Sequence, residues 1–436
     1  MLSGLQRAQL EAKLLWEQLG FKTPSDDAHA LETEELLRAH LLDQHVITSS
    51  RWKEALADEP HFYQHSVSID SVGGNAGGTS LSRSRAMRTA LAEAVERKIW
   101  LTETGHIGQS PRMPASQLPT NTPRASAYVL SDNTHAAHGE HVDELSLQWT
   151  SAFSYTRNRS SFVPSQLLSA AYARQSGEVL LRQPITTGLA TAPTRLQSLL
   201  SGTLEVIERD AIMVTWLGGV SPVRIAHDSL TADSPDLKTF LKTCEQYSLT
   251  VDFVQLFSDA PTYTIMAVVR DGRMMPPIAV GASAGQDSGA CALKALLEAL
   301  RARQNSRGQR TKQPAEQNSR LLFWSQPDHA THAAFLTKGP ITSLQKAPWH
   351  HESSRLHFKR LCSWARASAY DVLAANLSHG EANIPGWHIY QVVIPQLQPL
   401  HQDESQKSTY GTRIESVIRG CGHELTSINT VRHPFF

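Results

Sequence analysis

The chain has 436 residues, 41 Lys and Arg against 41 Asp and Glu, and 40% hydrophobic residues, enough apolar material for one large or two medium domains and too much for a disordered chain. A formal net charge of zero, with basic residues spread along the sequence, leaves no global field to gather nucleic acid or an anionic membrane, so an anionic ligand must be met by a local site. Cys244, Cys291, Cys362 and Cys421 form no C-x-x-C pair, no apolar run approaches the ~20 residues of a membrane helix, and the first residues lack the basic head and apolar core of an export signal, so a reduced, cytoplasmic setting is expected.

In chain order, Leu5, Ala8, Ala12, Leu15, Trp16 and Leu19 recur at three- and four-residue spacing and predict a helix closed by Gly20. A second helix is expected around Glu32 to Leu42 and a third over Ser50 to Ala57, so that residues 1–64 form a helical extension packed on residues 65–436. Next comes "GGNAGGTS", Gly73 to Ser80. It has the G-x-x-x-x-G spacing of a phosphate loop, but Thr79 stands where the lysine belongs. From His65 onward, β-branched or alternating runs ("HSVSID", "TIMAVV", "HIYQVVIP") alternate with helical patterns ("SRAMRTALAEAVERKIW", "LQSLLSGTLEVIERDAIMVTW", "CALKALLEALRARQ"), which predicts a mixed α/β domain. Gln304 to Asn318 is polar and basic and is expected to be an exposed loop. The groups "HGEH" (His138 to His141), "HATH" (His329 to His332) and "HH" (His350, His351) lack H-E-x-x-H spacing and read as surface histidines. "GGVSP" after Trp216 lacks the second glycine of a nucleophile elbow.

The informative feature is an echo. "TALAEAVERK" (Thr89 to Lys98), "SGTLEVIERD" (Ser201 to Asp210) and "KALLEALRAR" (Lys294 to Arg303) each place an acid at a matching helical position, and two of them complete E-x-x-E-R. Glu93 with Glu96, and Glu205 with Glu208, lie one turn apart on one helix face flanked by Leu91 and Val95 or Leu204 and Ile207. Partly buried like charges need a cation, and Mg2+ takes one or two carboxylates while leaving positions for water and phosphate oxygens. Arg97 and Arg209 add guanidinium donors. Metal held by four glutamates would thus replace the absent lysine of the phosphate loop.

At these residues the sequence resembles the YcaO superfamily, and within it the azoline-forming cyclodehydratases that modify ribosomal peptides. "GGTSLSRSRAMRTALAEAVER" resembles its Gly-rich turn running into S-x-x-x-E-x-x-E-R, and "TTGLATAPTRLQSLLSGTLEVIERDAIMVTW" its T-G-L-A and E-x-x-E-R-D-A block closed by T-W. "QWTSAFSYTRNRSSFVPSQLL" looks like the preceding strand, "HIYQVVIPQLQPLH" like the late V-x-x-P-x-L-x-P-L strand, and "INTVRHPFF" like the proline-containing tail. The resemblance implies an ATP-binding fold unrelated to the P-loop, with ATP and Mg2+ as cofactors. It implies metal binding by Glu93, Glu96, Gln197, Glu205 and Glu208, nucleotide binding by Thr89, Arg97, Arg209, Lys294 and Glu298, and a catalytic role for the tail through Pro434 and the carboxylate of Phe436.

Several positions depart from the pattern. Thr89 replaces Ser and keeps the hydroxyl; Lys294 keeps a charge without the fork of arginine. Gln197, two turns before Glu205, replaces a glutamate with a weaker, uncharged ligand. Arg301 replaces a common Gln, Ser80 the last glycine of the turn, and Phe436 a terminal proline. The implied activity is ATP-dependent cyclodehydration of Cys, Ser or Thr in a precursor peptide; the alternatives are thioamide formation and a catalytically degenerate scaffold. About 60 N-terminal residues are too few for a fused peptide-recognition domain, so a separate E1-like leader-binding protein is expected, with a flavin-dependent azoline dehydrogenase and homodimerisation as further family traits.

Overall fold

In the computed structural model, which describes residues 27–54, 56–69, 74–102, 107, 112–272, 276–308, 318–378 and 386–435, one strand-then-helix unit occurs three times. Helix α1 (Asp27–Asp43) precedes an antiparallel sheet of β1 (Ile47–Trp52), β2 (Tyr63–Ile69) and β3 (Asn75–Ser80), on which α2 (Arg83–Thr102) lies. The second sheet has the order β4 (Arg112–Met113), β5 (Leu147–Ser154), β13 (Leu373–Asn376), β14 (His388–Val393), β7 (Leu189–Ala192), with β6 (Arg159–Pro164) hairpinned onto β5. Helix α3 (Arg195–Gly218) packs against β7 and β14. The third runs β11 (Ile278–Gly285), β10 (Tyr263–Arg270), β9 (Thr250–Gln255), β8 (Arg224–Ile225), β12 (Ile341–Thr342). It is covered by α4 (Pro235–Gln246) and α5 (Ser288–Gly308), while α6 (Ser354–Ala367) and α7 (Arg413–Gly420) pack on α3.

Local sequence explains these elements. Ala86, Met87, Ala90, Leu91, Ala94, Val95 and Ile99 make the buried stripe of α2 at helical spacing. Thr194 caps α3 by accepting the Gln197 N–H at 3.2 Å, and Gly219 ends it in the left-handed region at φ +62°. β10 is buried along Tyr263 to Val269, consistent with its unbroken apolar run. In two of the units a strand glycine sets the close approach of helix to strand. A Cβ on Gly78 of β3 would lie 2.0 Å from the Ala86 carbonyl oxygen, and one on Gly281 of β11 would lie 2.3 Å from that of Ala295. Among the described residues no helix is long and apolar enough to cross a membrane.

Five expectations need comment. Residues Ser50 to Trp52 belong to β1 and not to a helix, because Ile47–Trp52 pairs antiparallel with β2, Trp52 opposite His65. The boundary at residue 64 therefore falls within β2. Asn75–Ser80 is a strand and not a phosphate loop, and the first expected helix, like Gly73, lies outside the described residues. The expected loop from Gln304 is helical as far as Gly308. Buried Arg303 holds Glu59 at 3.0 Å and Asp271 at 2.9 Å, fastening the segment before β2 to α5.

Candidate active site

The echoed positions meet because each helix touches its own strand and the strand of the next unit. In α2, Glu93 accepts the Gly77 N–H of β3 at 2.9 Å, and Glu96 accepts the Thr191 N–H of β7 at 2.6 Å. In α3, Glu205 accepts the Gly188 N–H, just before β7, at 3.1 Å, and Glu208 accepts the Ala284 N–H of β11 at 3.1 Å. The first glutamate of each pair thus binds its own unit and the second binds the next. In α5, Arg301 stands at the position of the second glutamate and donates to the Gly77 carbonyl at 2.8 Å, which returns the sequence of contacts to β3. A change from acid to guanidinium is matched by a change from N–H to C=O.

This arrangement orients the acids before any ligand arrives. It also answers the phosphate-loop question, because the Gly77 N–H is directed to a carboxylate.

Cations interleave the acids. Arg97 donates to the Asn75 carbonyl at 2.7 Å and pairs with Glu93 at 2.7 Å; Arg209 lies 3.7 Å from Glu205 and 3.3 Å from Glu208; Lys294 lies 4.0 Å from Glu298. The side chains of Glu205 and Glu298 keep 31% and 33% exposure although protein surrounds them, so both acids can be reached from solvent.

Burial pushes the Glu96 carboxyl well above its ordinary range, and the charge of Glu205 and then Glu93 adds to it. Burial likewise raises Glu205, Glu208 and Glu298. Burial opposes the charge of Lys294, but Glu298, Glu208 and Glu205 outweigh it and hold the ammonium above its usual value. A set of carboxylates that resists ionisation although Arg209 and Lys294 stand among them fits a site completed by a hard divalent cation.

Thr89 is exposed on α2, its Cβ against Gly78. Gln197 is exposed at the start of α3, its Oε1 taken by the Thr194 hydroxyl at 2.8 Å. Its backbone lies about 12 Å along the helix from Glu205, and a capping role accounts for the contacts it makes.

Pro434 is buried between His433, whose Nε2 lies 2.6 Å from the His401 carbonyl, and Phe435, which belongs to the apolar cluster that holds Trp216. Trp216 of the T-W pair donates to the Val431 carbonyl at 2.8 Å, so that pair anchors the tail. Phe436 lies outside the described residues. The sequence did not single out Asp210 or Arg413: Asp210 accepts the Gln398 N–H at 2.7 Å and two bonds from Arg413, one of them at 3.0 Å from Nε.

Comparisons with known proteins place the fold. The YcaO cyclodehydratase family, described as ATP- and Mg2+-binding, matches residues 77–398. An uncharacterized protein of Methanothermobacter thermautotrophicus is 25% identical over 189 residues, 39% of this chain, and the chain spans about half of that relative, 49%. Among solved structures, a heterocyclase in complex with substrate and cofactor superposes with a TM-score of 0.74 at 16% identity, over 91% of this chain and 57% of that one. YcaO from Methanopyrus kandleri bound with AMPPCP and Mg2+ gives 0.65 at 17%, over 88% and 94%. The E. coli microcin synthetase McbBCD complex with pro-MccB17 bound gives 0.66 at 10%, over 84% and 92%. With the family matched over most of its length, the chain belongs to the YcaO cyclodehydratase family, whose cofactors are ATP and Mg2+.

Proposed function

We propose that the protein is an ATP- and Mg2+-dependent cyclodehydratase that converts Cys, Ser or Thr residues of a ribosomally made precursor peptide to azolines. The observation that carries this reading is the cluster of Glu93, Glu96, Glu205 and Glu208, each oriented by a backbone N–H and interleaved with Arg97, Arg209 and Lys294. When bound, ATP with Mg2+ supplies the phosphoryl group that turns an amide oxygen, a poor leaving group, into a good one. The four glutamates would hold the metal. Arg209 and Lys294, fixed beside those acids, would meet the negative charge of the phosphate oxygens, and the Thr89 hydroxyl and Glu298 would complete the nucleotide site.

The peptide is expected to arrive on a separate E1-like leader-binding protein, with a flavin-dependent dehydrogenase oxidising the rings where azoles are made, and the enzyme is expected to act as a homodimer. Support for a peptide and partner proteins comes from the heterocyclase solved with substrate and from the microcin synthetase complex. Two measurements test the proposal. Calorimetric titration with ATP and Mg2+ should show saturable binding that Glu208→Gln weakens. Coexpression with the neighbouring genes should yield a precursor that has lost one water per modified residue. A precursor that instead gains sulfur in place of oxygen would establish thioamide formation, and absence of ATP turnover in the presence of precursor and partner would leave a scaffold.

A further inference from the structure

Of the three histidine groups in the sequence, two lie as surface histidines should: His138 and His329 are half-buried, and His141 and His332 are exposed. The pair His350 and His351 differs. The His350 side chain is only 9% exposed, and neither ring nitrogen has a hydrogen-bond partner. Its Nε2 faces the Asp233 carboxylate at 3.9 Å, and its ring lies 3.9 Å, centroid to centroid, from that of His351. Ligating atoms of Asp233, His350 and His351 all fall within 4.8 Å of one another. A buried imidazole with both nitrogens unmatched is unfavourable unless something outside the protein completes it.

We infer that Asp233, His350 and His351 form a second metal site, for a zinc-class divalent cation, that clips the 344–351 loop to the 232–234 turn, which leads into α4 and lies beside the start of α5. Two imidazoles and a carboxylate are a donor set for Zn2+ or a neighbouring first-row ion and not for Mg2+ or Ca2+, which take oxygen. Metal–ligand distances near 2.1 Å require ligand atoms about 3.4 Å apart, so the cluster must tighten by roughly an ångström. Exposed His351 and Asp233 can supply that movement.

Asp287 Oδ2 lies 3.5 Å from His351 Nδ1 and is placed to orient that ring, as carboxylates beside metal-bound histidines do. One group opposes the ion: the Lys346 ammonium contacts Asp233 Oδ2. Lys346 is 55% exposed, so it can swing into solvent when a divalent ion takes its place. The clip sits where α5 begins, six residues before Lys294, and the turn it holds already abuts the helix, since a Cβ on Gly289 would come 2.8 Å from that of Ser234.

The test is a titration of untagged, chelator-stripped, full-length protein with Co2+, a visible stand-in for Zn2+, in excess Mg2+ to occupy the glutamate cluster. One equivalent should bind with the intense visible band of a low-coordinate, nitrogen-ligated ion, and Zn2+ should displace it. His351→Gln, at an exposed position, should weaken binding at least about tenfold, and Asp287→Asn by roughly 10–100-fold, as when a carboxylate that orients a metal-bound histidine is lost. Glu208→Gln should leave it unchanged. Absence of the band, unaltered affinity in His351→Gln, or loss of binding in Glu208→Gln would each overturn the site.

Discussion

Glu208 is 4% exposed and bonded to the Ala284 N–H, so its carboxylate has one direction and little solvent. Glutamine keeps the shape and an acceptor but removes the charge, and ATP binding in Mg2+ is expected to weaken at least about tenfold. The same change should raise the melting temperature of the metal-free protein, because burial disfavours the ionised acid. A pH dependence follows with a definite sign. Glu96, Glu205, Glu208 and Glu298 titrate above their ordinary value when folded, so the folded chain keeps protons that the unfolded chain has lost. Their contribution to stability therefore falls as pH rises from the ordinary carboxylate value through the raised ones. Burial drives His433 the other way, well below its usual value, which weakens the fold as pH falls. The diagnostic quantity is thus the difference with and without Mg2+. Stabilisation by Mg2+ should grow as pH rises above the ordinary carboxylate value, and Glu208→Gln should flatten the trend; a pH-independent increment would contradict the cluster as a metal site.

At the level of elements, the three echoed segments form helices as their spacing predicts, and the acids of α2 and α3 are brought together by the strand N–H groups that orient them. Gly78→Ala is expected to destabilise by about 3 kcal/mol in a urea titration, the upper part of the range for overpacking, since the obstacle is the backbone oxygen of Ala86. Arg301→Met should cost about 1–2 kcal/mol by leaving the Gly77 carbonyl without its donor. It should also weaken ATP binding, because the Gly77 N–H orients Glu93. Helices and acids were legible because helical period and charge are local. The contacts of Arg301, Glu96 and Glu208 were not, since they depend on which strand of another unit each helix meets. The β1 segment misled for a related reason: in "SRWKEALA" (Ser50 to Ala57) Trp52, Ala55 and Leu56 stand at helical spacing, but the pairing of Ile47–Trp52 with β2 decides the structure of its first residues. Gln197 was legible as a motif position, while its bond to Thr194 follows from where α3 starts.

Across the whole molecule, α3 joins the nucleotide end of the site to the C-terminal segment. Asp210, fully buried, follows Arg209 directly, and α7 supplies its partner Arg413, which is 7% exposed and also bonds Asp259 and, at 2.8 Å, the Tyr370 hydroxyl. At the end of α3, Asn429 donates through its backbone N–H to the Leu217 carbonyl at 2.7 Å and through Nδ2 to that of Trp216 at 3.1 Å, while Arg320 donates to the Gln402 carbonyl at 2.9 Å. Two separate attachments therefore fix α3, one at the level of the acids and one at the tail. Arg413→Met removes the first and leaves a buried carboxylate without its counter-charge, a change expected to cost 3–5 kcal/mol, roughly the loss seen when one member of a buried ion pair is deleted. The double variant Asp210→Asn with Arg413→Met removes the charge as well and should recover much of that stability. If Asp210 and Arg413 also set the position of Arg209, the recovered double variant will still bind ATP and Mg2+ more weakly than the wild type. Full recovery of both stability and binding would limit the pair to a structural role, and a loss below about 1 kcal/mol in Arg413→Met would mean that Asp210 does not need it as a counter-charge.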